Sequence, residues 1–295
     1  TDEEHLVPMD KLQPYIDDAL DLIEFANGTD ESNEWVQKRI QMGHKKPFNM
    51  KYIGIGNEQY GDIYFERYEE FAKQIHEKYP DINLVTTSGT ASSGSSNDLA
   101  WNWANEHEEL ADRMDEHYYE TADWFRQHAY RYDNYRRDTN TKVFLGEYAS
   151  KGNAWYNALS EAAFMTGLER NADVVRMASY APMFAKYGNT QWSAADMIWF
   201  NNSDYVLTPN YYVQSLFSNN QGDYYLPTEV KLNGIEKDDA LKGGVAVGSW
   251  GTHNEFKDRL FEILNETEEL PIADIETNDR ENEIKVIENE IDLLT

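Results

Sequence analysis

Tyr52-Ile53-Gly54-Ile55-Gly56-Asn57-Glu58 reads as a short buried strand that stops on glycine and sets an amide and a carboxylate just beyond its end. Helical spacing flanks it on both sides. Upstream, Tyr15, Ile16, Ala19, Leu20, Leu22, Ile23 and Ala26 share one helix face, with Pro14 in the first turn and Asn27-Gly28 as the stop. A second helical stretch runs from Trp35 to Met42. Downstream, Tyr64, Phe65, Tyr68, Phe71, Ala72, Ile75 and Tyr79 line a helix closed by Pro80.

The alternation then repeats. A strand is expected over Ile82 to Thr87, a Ser/Gly loop from Ser88 to Ser96, and a Trp-rich helix from Leu99 to Ala111. A strand follows at Met114 to Tyr118, helical residues from Thr121 to Arg137, and the strand Val143-Phe144-Leu145. A helix from Trp155 to Leu168 and a strand from Val174 to Tyr180 complete the series. Strands alternating with helices argue for a parallel sheet wrapped by helices. The strands begin near residues 51, 82, 114, 142 and 174, close to the ~30 residues per unit of an eight-unit barrel. The expected fold is therefore α/β, a partial (β/α)8 TIM barrel over residues 1–220, with Tyr205 to Ser218 as its last helix. Short runs such as Asp223 to Leu226 and Val245-Ala246-Val247 predict a β-rich appendage over 221–275, and residues 276–295 a charged tail.

Composition narrows the function classes. Forty per cent hydrophobic residues, 14% aromatic, are enough for a substantial core. The 54 acidic against 26 basic residues give a net charge of −28, which repels phosphate backbones and anionic membranes. Neither a nucleic acid nor a membrane is expected as a partner, and no window approaches the ~18 apolar residues of a span. The chain has no cysteine, which rules out thiolate metal sites, Fe–S clusters and cysteine nucleophiles.

Two glutamates each follow a hydrophobic strand directly: Glu58 in the opening stretch, and Glu147 in Val143-Phe144-Leu145-Gly146-Glu147-Tyr148. At the C-terminal ends of barrel strands, carboxylates point into the mouth where catalysis occurs, and these two stand about three ~30-residue units apart. Two such carboxyls about 5 Å apart are what a retaining glycosidase requires, one as proton donor and one as nucleophile. Asn57 is placed to bond a sugar hydroxyl beside the reacting carbon. In Met114-Asp115-Glu116-His117-Tyr118-Tyr119, His117 and Tyr119 alternate with Tyr118, so both can face the pocket. There is no HExxH, no second histidine at ligand spacing, no Walker loop and no third glycine after Gly54-x-Gly56. Neither a metal nor a cofactor is expected. Tyr180, Tyr187, Trp192 and Trp199 could stack on sugars, although core packing is the commoner fate of aromatics.

The sequence resembles the α-L-arabinofuranosidases of glycoside hydrolase family 51, most of all their plant-type branch. The likeness rests on the Asn57-Glu58 stretch, Gly146-Glu147-Tyr148-Ala149, Glu161-Ala162-Ala163-Phe164, Gly167-Leu168-Glu169-Arg170-Asn171 and Ser179-Tyr180-Ala181-Pro182, and extends from about Tyr15 to Pro227. It implies that Glu58 is the acid/base after barrel strand 4 and Glu147 the nucleophile after strand 7. His117 and Tyr119 would be the strand-6 pair lining the sugar site, with Trp192 in the loop after strand 8. The substrate implied is an arabinan- or arabinoxylan-type polysaccharide that gives up terminal arabinofuranosyl units; a β-xylosidase, an endoglucanase and a non-catalytic fragment are the alternatives. Only 56 residues precede Asn57, so strands 4–8 are expected to have counterparts and strands 1–3 none. Completion by a further N-terminal segment or by self-association is therefore expected, in a secreted or periplasmic setting rather than a cytoplasmic one.

Overall fold

Proline in the first turn and a regular apolar face make Gln13–Asn27 a helix, α1, which buries Ile16, Ile23 and Ala26. The computed structural model describes residues 6–191 and 195–226. Helix α2, Glu34–Gln41, starts where the Asn33 side chain accepts from the Trp35 and Val36 N–H groups, satisfying donors that a helix start leaves open. Its Arg39, 1% exposed, donates to the carbonyls of Phe25, Gly28, His44 and Lys45 and so caps the end of α1. Asn27 bonds both backbone groups of Met50 (2.7 and 2.8 Å), which fixes where the chain enters strand β1, Tyr52–Gly54.

From there strands and helices alternate: α3 (Asp62–Lys78), β2 (Asn83–Thr87), α4 (Ser95–Glu106), β3 (Arg113–Glu120), α5 (Ala122–Gln127), β4 (Lys142–Ser150), α6 (Trp155–Arg170) and β5 (Val175–Tyr180). The five strands form one parallel sheet in the order β1-β2-β3-β4-β5, a curled half-barrel. Among the described residues β1 and β5 are its edges. A second sheet joins β6 (Phe184–Lys186), β7 (Ile198–Phe200) and β8 (Tyr205–Leu207), and helix α7 (Pro209–Asn219) follows.

The α/β half-barrel agrees with the strand pitch in the sequence; several boundaries do not. The Trp-rich helix begins at Ser95 and ends at Glu106. The stretch from Thr121 to Arg137 divides into α5 and a 3-10 turn, Arg131–Asn134. Tyr205 to Leu207 is strand rather than helix, because Thr208 caps α7 through the Tyr211 N–H and Pro209 opens it. The small sheet built from β6, β7 and β8 has runs of three residues, too short for alternation to register. Asp223 to Leu226, expected as a short β run, forms no strand; the rest of the expected appendage, from residue 227 on, and all of the tail lie outside the described residues.

Two hydrophobic clusters occupy the helix side of the sheet. Ile53, Leu84 and Met114 pack on Phe65, Tyr68, Ile75 and Ala100 of α3 and α4. Tyr118, Val143, Leu145, Tyr148 and Val175 pack on Phe125, Phe164, Val213 and Phe217 of α5, α6 and α7. Strand β3 contributes to both. Each large apolar side chain withdrawn from water is worth about 1.5–3 kcal/mol.

Candidate active site

Along β3, Met114, Glu116 and Tyr118 face the helices, so Asp115, His117 and Tyr119 face the inside of the curl. Glu116, 0% exposed, accepts from Trp101 Nε1 and Tyr135 OH (both 2.9 Å) on one oxygen, and from Tyr132 OH (2.9 Å) and Arg131 (3.1 Å) on the other. This buried carboxylate has every lone pair directed at a donor, and it locks the strand directly behind His117.

On β4, Val143 and Leu145 belong to the helix-side core, so strict alternation would send Glu147 there too. It does not go. The register runs Glu116↔Leu145 and then His117↔Glu147, leaving Gly146 as an extra residue. This bulge reverses the parity of the strand: Glu147 turns inward and Tyr148 takes the core position. The bulged residue is glycine because Asp115 lies against it. A Cβ at Gly146 would stand 2.8 Å from Asp115 Cγ and closer still to Oδ1.

Glu58 reaches the same place from β1. After Ile55 the chain turns through Gly56 at φ 94° and Glu58 at φ 61°, a left-handed conformation uncommon for a residue with a side chain and typical of functional turns. The Asn57 N–H donates to the Gln59 side chain, which helps to hold the turn. Asn57 itself is exposed beside Glu58.

The three inward elements converge on His117, 2% exposed. Its Nδ1 lies 3.1 Å from Glu58 Oε1 and 3.6 Å from Glu147 Oε2, and its Nε2 lies 3.0 Å from Asp115 Oδ2. Tyr119 OH donates to Glu147 Oε2 at 2.6 Å. Burial pushes the His117 pKa down, but the Asp115 bond and charge, followed by Glu58 and Glu147, outweigh it and raise it to about 9. Asp115 is raised, chiefly by burial, against the opposing pull of His117. Tyr119 is pushed far up by burial and by its bond to Glu147, so it remains a donor.

Donor atoms of Glu58, His117 and Glu147 all lie within 4.8 Å of one another, the one grouping among the described residues that could hold a metal ion. Both His117 nitrogens are already engaged with carboxylates.

Glu58, Glu147, His117 and Tyr119 are therefore brought together, while Trp192 falls outside the described residues. Of the other aromatics, Tyr180 is buried with its OH on the Ala195 carbonyl (2.6 Å), Trp199 donates to Asn153 (3.0 Å), and Tyr187 is exposed. Two further residues, Asp115 and Glu161, stand at or near the site with no role assigned to them from the sequence. Asp115 shares the alternation of His117 and Tyr119 and could have been read from it. Glu161 of α6 could not: fully buried, it receives Ser150 N–H, Ser150 Oγ and Asn210 Nδ2 at 2.7–2.9 Å, and burial above all raises its pKa to about 7.

Consecutive parallel βα units with two glutamates facing each other at strand ends make up a site of the kind on which glycoside hydrolases are built. Residues 1–137 match the α-L-arabinofuranosidase 1 domain and residues 129–290 the α-L-arabinofuranosidase C-terminal domain. The chain belongs to the α-L-arabinofuranosidase family, glycoside hydrolase family 51. It is 46% identical over 248 residues to an extracellular exo-α-L-arabinofuranosidase of Streptomyces chartreusis, covering 84% of this chain and 29% of the relative. It is 36% identical over 228 residues to α-L-arabinofuranosidase 1 of Arabidopsis thaliana, 75% of this chain and 31% of the relative. The chain thus spans less than a third of the length of either. An arabinose-bound family 51 α-L-arabinofuranosidase superposes with a TM-score of 0.65 at 29% identity, over 78% of this chain and 37% of that one. The Thermotoga maritima α-L-arabinofuranosidase shares the fold, with a TM-score of 0.54 at 21% identity over 69% of this chain and 47% of that one.

Proposed function

We propose that this chain carries the reacting half of a retaining α-L-arabinofuranosidase pocket, with Glu147 as nucleophile and Glu58 as acid/base. The observation that carries this is the spacing: an oxygen of Glu58 and one of Glu147 lie within 4.8 Å, near the ~5–5.5 Å of retaining enzymes and below the ~6.5–9.5 Å that inverting enzymes need to seat a water. Glu147 attacks the anomeric carbon as the glycosidic bond breaks, and Glu58 gives its proton to the departing oxygen. Glu58 then takes a proton from water as that water cleaves the glycosyl ester and frees Glu147. Tyr119 holds the nucleophile oxygen in place, and Asn57 bonds a hydroxyl next to the reacting carbon.

The names of the relatives favour an arabinofuranosyl unit from arabinan- or arabinoxylan-type chains over a xyloside or glucan substrate. The Streptomyces relative, described as extracellular, supports a secreted setting. Completion of the half-barrel by a further segment or a second copy belongs to the same reading. The test compares aryl α-L-arabinofuranoside, β-xyloside and β-glucoside hydrolysis by the chain with that of its Glu147→Ala and Glu58→Ala variants. Expected is activity on the arabinofuranoside, lost by at least ~10³-fold in Glu147→Ala and restored in part by azide with inverted product. Unchanged turnover in Glu147→Ala refutes the assignment.

A further inference from the structure

Asp115 has no place in the two-glutamate scheme, yet it is the residue against which the β4 bulge is built and the sole partner of His117 Nε2 among the contacts described. An ionised carboxylate only accepts hydrogen bonds, so with Asp115 at Nε2 that nitrogen carries a hydrogen whatever the charge of the ring. The opposite nitrogen, Nδ1, is thereby the one that gains and loses a proton, and it faces Glu58 at 3.1 Å and Glu147 at 3.6 Å. We propose that Asp115 is a positioning residue that makes His117 the proton store of Glu58.

At rest the ring is an imidazolium whose Nδ1–H donates to the Glu58 carboxylate. When the pocket fills, that proton crosses to Glu58, leaving neutral imidazole and a carboxylic acid, and Glu58 delivers it to the departing oxygen. In the second half-reaction Glu58 takes a proton from the attacking water and returns it to Nδ1, so the cycle closes with no net change. The charged and titratable groups facing the ring are Asp115 on its own strand, Glu58 beyond β1 and Glu147 on β4. Tyr119 reaches Glu147, and Tyr64 of α3 lies near Asp115. The raised pKa of His117 agrees with an imidazolium at neutral pH. The catalytic consequence rests on the glycosidase reading; the resting place of the proton does not.

The experiment separates the two. Imidazole 15N shifts of the full chain are followed against pH, with the His117 signal assigned by its loss in His117→Gln. The expected midpoint is near 9, falling below about 7.5 in Asp115→Asn as the carboxylate partner is lost. A midpoint unmoved by Asp115→Asn overturns the proposal. Should that variant fold poorly, Glu58→Gln must also lower the midpoint, and an unmoved value there is equally fatal. In turnover, Asp115→Asn is expected to slow an alkyl arabinofuranoside by about 10²-fold and a dinitrophenyl arabinofuranoside by less than about threefold, since only the first needs a proton donor. Equal losses on both substrates indicate mere distortion and refute the relay. A chain that shows the nitrogen shifts and hydrolyses neither substrate supports the proton position and sinks the glycosidase reading instead.

Discussion

Replacing Gly146 with alanine tests the bulge that turns Glu147 into the pocket. Gly146 does not have a positive φ, so alanine meets no backbone penalty and the whole effect is steric. The new methyl would sit 2.8 Å from Asp115 Cγ and 2.9 Å from Oδ2. Either Asp115 must swing away from His117 or β4 must lift from β3. Overpacking of this kind costs about 1–3 kcal/mol. Because the shifted residue adjoins Glu147, a displacement on the order of 1 Å would slow turnover by about 10²-fold. Urea unfolding and steady-state kinetics read the two effects. Removing the obstacle must cancel the stability loss, so Asp115→Ala with Gly146→Ala should be no less stable than Asp115→Ala alone, a coupling of about 1–3 kcal/mol. Additive losses in the double variant, or a Gly146→Ala chain as stable and active as the parent, would refute the steric account.

Glu116→Ala should destabilise the chain by about 3–5 kcal/mol, since it leaves the Arg131 guanidinium buried without its counter-charge; a loss under about 1 kcal/mol in urea unfolding would show the network to be slack. Glu161 is held at about 7 against an ordinary 4.5, so its contribution is complete below about pH 4.5 and is lost as pH rises through about 7. That difference is worth about 3 kcal/mol. In Glu161→Gln the Tm should accordingly fall less between pH 5 and pH 7.5 than in the parent, and parallel Tm profiles would contradict it.

The half-barrel was legible because each strand is a short hydrophobic run set at a steady pitch, and because Asn57-Glu58 and Gly146-Glu147 end such runs. What escaped was parity and terminus. Val143-Phe144-Leu145 reads as a complete strand, yet β4 continues to Ser150 through a bulge, and nothing in Gly146-Glu147 distinguishes an inserted residue from a turn. Thr208-Pro209 is a helix start of ordinary type, but the apolar run around Tyr205 to Leu207 just before it fits either state. Asp115 and Glu161 are ordinary acidic residues in the sequence. Their importance comes from partners such as His117, Ser150 and Asn210, set by packing between strands and helices rather than by local spacing.

The division of the core about β3 bears on how this pocket tolerates change. Glu58 hangs from β1 and is steadied by the cluster that includes Phe65 and Tyr68, whereas Glu147 hangs from β4 and answers to the one around Phe125 and Phe164. The two carboxyls are thus mounted on separate foundations that share a single beam, and His117 spans the joint. A cavity opened in either foundation would tilt one carboxyl against the other without touching the pocket, so substitutions far from it would retune the gap between Glu58 and Glu147.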